Sequence, residues 1–178
     1  MSTIQACELP ADALLCKYLG GGAYADCYVT EVAGPVSHAE YVEAFYTTAI
    51  FRIERLLLAW FVSRPSTNLQ ARQLASGKAS TFAAWTVEAR SPDQVLLSDL
   101  QGRTRSWLMC APAGIDALSS TRLYFGSAVM PKATSRSGEA RMGAVFRVLL
   151  GFHKVYSRVL LRAAVSRLEH PPSSRTLS

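Results

Sequence analysis

His153 and Tyr156 lie three residues apart in a long amphipathic stretch near the C-terminus, a spacing that puts two side chains on one helical face. An imidazole and a phenol so placed can orient a ligand. With a second polar group within about 3 Å, the imidazole could also move a proton. Trp85, Trp107, Tyr124 and Phe146 could join them around a pocket, with ring faces against apolar surface and N–H or O–H tips fixing orientation. The same residues also suit a plain core, with the histidine held by a backbone or tyrosine partner. Nucleophile motifs are poor. Gly126-Ser127-Ala128 lacks the second glycine of G-x-S-x-G and falls inside a strand instead of a strand-to-helix elbow. No catalytic residue is assigned.

Cofactor motifs fail on similar grounds. Ser76-Gly77-Lys78-Ala79-Ser80 is close to the end of a phosphate loop, but Arg72 stands where the first glycine is needed and Ala79 where a hydroxyl must reach magnesium. Gly20-Gly21-Gly22 lacks the spacing of a dinucleotide fingerprint. Cys7, Cys16, Cys27 and Cys110 form no C-x-x-C pair, and His38, His153 and His170 are far apart, so neither metal nor cofactor is expected.

The elements that must position these residues follow from pattern and punctuation. Tyr24 to Val32 alternates as a first strand. Ser37-His38-Ala39-Glu40 is an S-x-x-E capping box, and Val42, Phe45, Ala49, Ile53, Leu56 and Trp60 continue as an apolar stripe on a helix or broken helix pair ending before Pro65. A polar connection from Ser63 to Lys78 holds a helical turn at Leu69 to Leu74. Strands then follow over Thr81 to Arg90, Val95 to Leu100, Arg103 to Cys110 and Thr121 to Met130, with Ser91-Pro92-Asp93 and Gln101-Gly102 as turns. From Glu139 to Leu168, the positions Met142, Phe146, Leu149, His153, Tyr156, Leu160 and Ala164 share one arc of a long helix. The order predicts an α+β fold, an antiparallel sheet whose apolar face is covered by a long C-terminal helix.

The chain has 178 residues, 49% apolar and 18% charged, which excludes a disordered polycation and fits one domain with its core over about residues 24–168. Residues 1–20 and 170–178 are expected to be peripheral or frayed. No apolar run reaches the length of a membrane span, the longest compact one being Leu56 to Val62, and Met1 to Pro10 lacks the features of a signal peptide. A cytoplasmic location is the expectation.

Three segments point to a family. Tyr24-Ala25-Asp26-Cys27-Tyr28, Thr121-Arg122-Leu123-Tyr124-Phe125 and Phe152-His153-Lys154-Val155-Tyr156-Ser157-Arg158-Val159-Leu160 resemble the bacterial DUF2867 domains. These domains occur alone or attached to NAD(P)-binding modules. With the element order, the resemblance implies a helix-grip fold of the START and Bet v 1-like (SRPBCC) kind, a curved antiparallel sheet wrapped around a long C-terminal helix, with an apolar cavity between sheet and final helix. It carries no established reaction. The function expected is therefore binding of an apolar or aromatic small molecule, with Trp85, Trp107, Tyr124, Phe146, His153 and Tyr156 as ligand contacts. A cyclase- or isomerase-like enzyme with His153 in acid–base work is the alternative.

The net charge of +6 is local. Arg141 to Arg167 holds six basic residues and no acid, so the rest of the chain is balanced. Arg147, Lys154, Arg158 and Arg162 fall opposite the apolar arc. They form either a solvated face or a contact surface for an anionic membrane or an acidic protein. Nucleic acid is not expected, since neither a helix-turn-helix nor an aromatic-rich RNA-binding pattern accompanies them.

Overall fold

The computed structural model describes residues 3–19, 23–51, 67–114, 119–130 and 155–170. Its strands are β1 (Gln5–Ala6), β2 (Tyr24–Ala33), β3 (Thr81–Phe82), β4 (Trp85–Ser91), β5 (Gln94–Asp99), β6 (Thr104–Pro112) and β7 (Ser120–Val129). They form one seven-stranded antiparallel sheet in the order β1-β2-β7-β6-β5-β4-β3. From β3 to β7 each strand pairs with its sequence neighbour, while β2 closes onto β7 along ten residues, Tyr24 opposite Val129 through Ala33 opposite Ser120. The α+β order read from the sequence holds. Gly102, at a φ of 65°, supplies the left-handed residue of the β5–β6 turn.

Among the described residues, the crossover between β2 and β3 carries α1 (His38–Tyr46) and α2 (Asn68–Ala75). The Ser37 box closes as its spacing predicts, with Ser37 Oγ accepting from the Glu40 N–H at 3.2 Å and the Ser37 N–H donating to Glu40 Oε2 at 2.8 Å. Glu40 is held below the usual carboxylate range by the Ser37 hydroxyl, which donates to its Oε2 at 2.6 Å, and by the Ser37 N–H. A second box, Thr67 with Gln70, starts α2 in the same way and extends the predicted helical turn to eight residues. Of the helix predicted from Glu139, the part within the described residues is α3, residues 155–169.

The sheet is apolar on both faces. Tyr28, Val95, Leu97, Leu108, Leu123 and Phe125 face inward, toward α1, α2 and α3. On α3, Ser157, Leu160, Leu161, Ala164 and Val165 are buried, at the i, i+3, i+4, i+7, i+8 spacing of a helix laid on a core. The buried arc is therefore turned toward Leu161 and Val165, leaving Tyr156 at its margin.

The opposite face carries Cys27, Leu96, Trp107, Met109 and Ala128 under an N-terminal cover. That cover corrects the expectation that residues 1–20 are peripheral. A 3-10 helix, Leu14–Tyr18, buries Leu15 completely. Gln94 ties it down: its Oε1 accepts from the Leu14 N–H and from Trp107 Nε1, both at 2.9 Å, and its Nε2 donates to the Asp12 carbonyl at 3.2 Å. Further along, Glu88 accepts from Tyr18 and pairs with Lys17 and with Arg105 at 2.6 Å. Partial burial opposes ionisation of Glu88, but the bonds from Lys17 and Tyr18 and the Arg105 charge prevail and hold its carboxyl low.

Candidate functional site

Between the inner sheet face and the helices lies an open-mouthed cavity of about 400 Å³. Phe45 of α1 and Phe51, in a helical stretch at residues 49–51, form one wall. Ala84 of the β3–β4 turn and Trp85 at the start of β4 add to it, and Leu100 and Gln101 of the β5–β6 turn form part of the rim with Thr104 at the start of β6. Tyr156 and Leu160 of α3 close the opposite side. The walls are fixed by ring packing: Phe45 lies 4.8 Å from Phe125 and 5.2 Å from Tyr46, and Tyr46 lies 4.8 Å from Phe51. Such pairs favour one arrangement of the rings.

The floor is polar, in a row fixed by strand register. Asp26 on β2 faces Ser127 on β7, Ser127 faces Ser106 on β6, and the row turns apolar at Leu97 on β5. Ser127 Oγ donates to Asp26 Oδ1 at 2.5 Å, Tyr28 Oη donates to Asp26 Oδ2 at 3.4 Å, and Ser106 Oγ and Tyr46 Oη share a bond of 3.2 Å. Burial, followed by the Asp26 charge, pushes the Tyr28 phenol up to about 12. The carboxylate orients Ser127. Acyl transfer would require an imidazole relay and oxyanion donors, and among the described residues no histidine lines the cavity.

Trp85 and Tyr156 line the cavity, but Trp107 and Tyr124 do not. Both belong to the opposite face of the sheet, where Trp107 is fully buried beneath the N-terminal cover and its ring centroid lies 6.2 Å from that of Tyr124. The reason is parity: Ser106 and Leu108 point inward, so Trp107 points out, and the same alternation turns Tyr124 away between Leu123 and Phe125. Phe146, His153, Arg147 and Lys154 lie outside the described residues. Arg158 and Arg162 are exposed on α3, with the Arg158 guanidinium 5.4 Å from the centre of the Tyr28 ring. Among the described residues no cluster of His, Cys, Asp and Glu could hold a metal, and no helix is long and apolar enough to cross a membrane.

His38, the first residue of α1, sits apart from the cavity. Burial is the main cause that depresses its imidazole to about 4, aided by the Arg90 charge and opposed by a backbone hydrogen bond with Leu108 and by Asp93. In the unfolded chain it titrates near 6.5, so between that value and 4 the unfolded state binds the extra proton. Stability is therefore expected to fall as pH drops from 6.5 to 4, by on the order of 2–3 kcal/mol, and this contribution levels off below 4. Urea midpoints at pH 7, 5.5 and 4.5 should show the decline in the native protein and a shallower one in His38→Gln. Equal slopes for the two proteins would refute the assignment.

Comparison with protein-family models finds no match, and comparison with curated proteins finds none.

Proposed function

We propose that this chain is a small-molecule binding domain of the helix-grip kind, holding an apolar or aromatic ligand between the inner sheet face and the C-terminal helix. The observation that carries this reading is the cavity of about 400 Å³, walled by Phe45, Phe51, Trp85, Phe125, Tyr156 and Leu160 above the Ser106 and Ser127 floor. Apolar walls with a few convergent polar groups and a volume of some hundreds of cubic ångströms suit a compact organic ligand. The element order supports the same view, as does the resemblance to DUF2867 and START-like domains. Trp85 adds a further sign. Its Nε1–H is shielded from solvent and has no hydrogen-bond partner among the described residues, a deficit that an acceptor oxygen on a bound molecule would relieve once the ring turns.

The ligand fits a mostly apolar body bearing one or two polar groups. A molecule of about 20 non-hydrogen atoms at about 0.3 kcal/mol each would bind with a Kd of tens of micromolar. Thr104, half-buried at the rim, offers the test. Thr104→Trp should fill the mouth and weaken binding of an apolar fluorescent probe at least tenfold, with little change in Tm, whereas Lys78→Ala, away from the cavity lining, should leave the titration unchanged. Saturable probe binding that is indifferent to Thr104→Trp would show that the cavity is not the site.

A further inference from the structure

On the outer face of the sheet, away from the cavity, two thiols meet across the β1–β2 pair. Gln5 lies opposite Val29 and Ala6 opposite Tyr28, so the next step in register sets Cys7 against Cys27. The Cys7 N–H donates to the Cys27 carbonyl at 3.0 Å, and the two Sγ atoms are 3.3 Å apart. Cys7 is half-buried and borders an open groove with Glu8, Val29 and Tyr124, while Cys27 is buried beside it. The remaining thiols are directed elsewhere: Cys16 donates to the Pro10 carbonyl at 3.2 Å, and Cys110 belongs to the inner core.

The geometry points to Cys7 and Cys27 as a disulfide-forming pair, a modification site at which a small organic disulfide such as oxidised glutathione staples the N-terminal cover to the sheet. The Cys7 thiolate attacks one sulfur of the small disulfide, forming a mixed disulfide and releasing one thiol. The Cys27 thiolate then attacks the Cys7 sulfur, forming the protein disulfide and releasing the second thiol. Two protein thiols are oxidised, one small disulfide is reduced, and the two thiol protons pass to the released thiolates. Burial raises both thiols above their ordinary range, Cys27 the more, so the first attack falls to the more accessible Cys7 and the exchange is slow. Bond formation asks the sulfurs to close by about 1.2 Å. A two-residue edge strand can give that much, because few ladder bonds oppose its movement.

The linked segment carries the contacts that seat the cover, Leu15 in the outer core and Leu14 on Gln94. Closing that loop limits the unfolded chain. Full-length protein incubated with oxidised glutathione, alkylated and digested without reductant should yield a Cys7–Cys27 cross-link with Cys16 and Cys110 alkylated. Cleavage after Glu8, Asp12 and Asp26 places Cys7, Cys16 and Cys27 on separate peptides. The Tm should rise by roughly 5–10 °C on oxidation and return with dithiothreitol. Cys16→Ser should preserve both results, and Cys7→Ser should abolish both. A glutathione adduct that persists on Cys7, a link to Cys16 or to a second chain, or a cross-link that leaves Tm unchanged would overturn the proposal. None of these outcomes depends on the cavity having a ligand.

Discussion

Trp107→Ala is expected to lower the free energy of unfolding by about 3–5 kcal/mol, the range for deleting a fully buried aromatic side chain. The ring has no solvent exposure, and the sheet behind it is packed too tightly to collapse into the space left. A Cβ placed on Gly126 would come within 2.9 Å of Trp107 Cε3, 3.0 Å of Leu15 Cδ2 and 3.1 Å of the Asp26 carbonyl oxygen. Strand and cover therefore already meet at van der Waals distance around the indole, so its removal leaves a void instead of a rearrangement. Urea denaturation followed by circular dichroism should show a lower midpoint at an unchanged slope. A loss below about 1 kcal/mol would mean that Trp107 is not the keystone of the outer face. Probe binding in the cavity, on the other side of the sheet, should survive wherever the variant stays folded.

Gln94→Met carries the second large effect. Methionine keeps much of the volume but strands the Leu14 N–H, the Trp107 Nε1–H and the Asp12 carbonyl, which Gln94 alone joins. Each buried polar group left unpaired costs about 1–3 kcal/mol, with water reaching the Asp12 and Leu14 groups as the cover loosens, so a net loss of about 3 kcal/mol is expected. Because the two side chains share a hydrogen bond, Trp107→Ala with Gln94→Met should cost less than the sum of the single changes by about 1 kcal/mol or more. Additive losses would show that the Trp107–Gln94 bond contributes little. Backbone amide exchange gives an independent reading, since faster exchange at Leu14 to Tyr18 in Gln94→Met would locate the loosening in the cover.

Local signals are written locally in this sequence, while the faces of its sheet are not. The Ser37 capping box, the Gly102 turn and the β2, β5, β6 and β7 strands were legible because each depends on residues within a few positions of one another. The second box, Thr67 with Gln70, is written in the same local code, but it stands in a stretch whose polar composition suggested a connection with no more than a helical turn. The N-terminal cover was illegible for the opposite reason. Residues 3–19 show neither period, and Leu15 is buried by partners far along the chain: it packs among Leu96, Trp107 and Ala128, while Gln94, eighty positions from Leu14, holds the Leu14 amide.

Assigning side chains to the cavity required knowing which face of the sheet is inner. Alternation separates two sets of residues but does not say which set faces the helices, and a sheet covered on both sides is apolar on both. Trp107 and Tyr124 look like pocket aromatics until the register places them outside. Asp26, Ser127 and Ser106 look like solvent-facing positions, yet they form one row under the cavity because three strands align them. The signal that could have found the row is the pairing of β2 with β7, a contact between residues about a hundred positions apart.

The lengths of the strands carry a consequence for the protein in company. The sheet begins and ends, among the described residues, in strands of two residues, β1 and β3, while its five interior strands run from six to ten. Beyond the stretches that β1 and β3 pair, the margins carry charged residues, Glu31 on β2 and Glu88 and Arg90 on β4, which an arriving strand from another molecule would have to accommodate. A sheet tapered at both ends resists growing by accretion, and so keeps its long, apolar interior strands from templating aggregates.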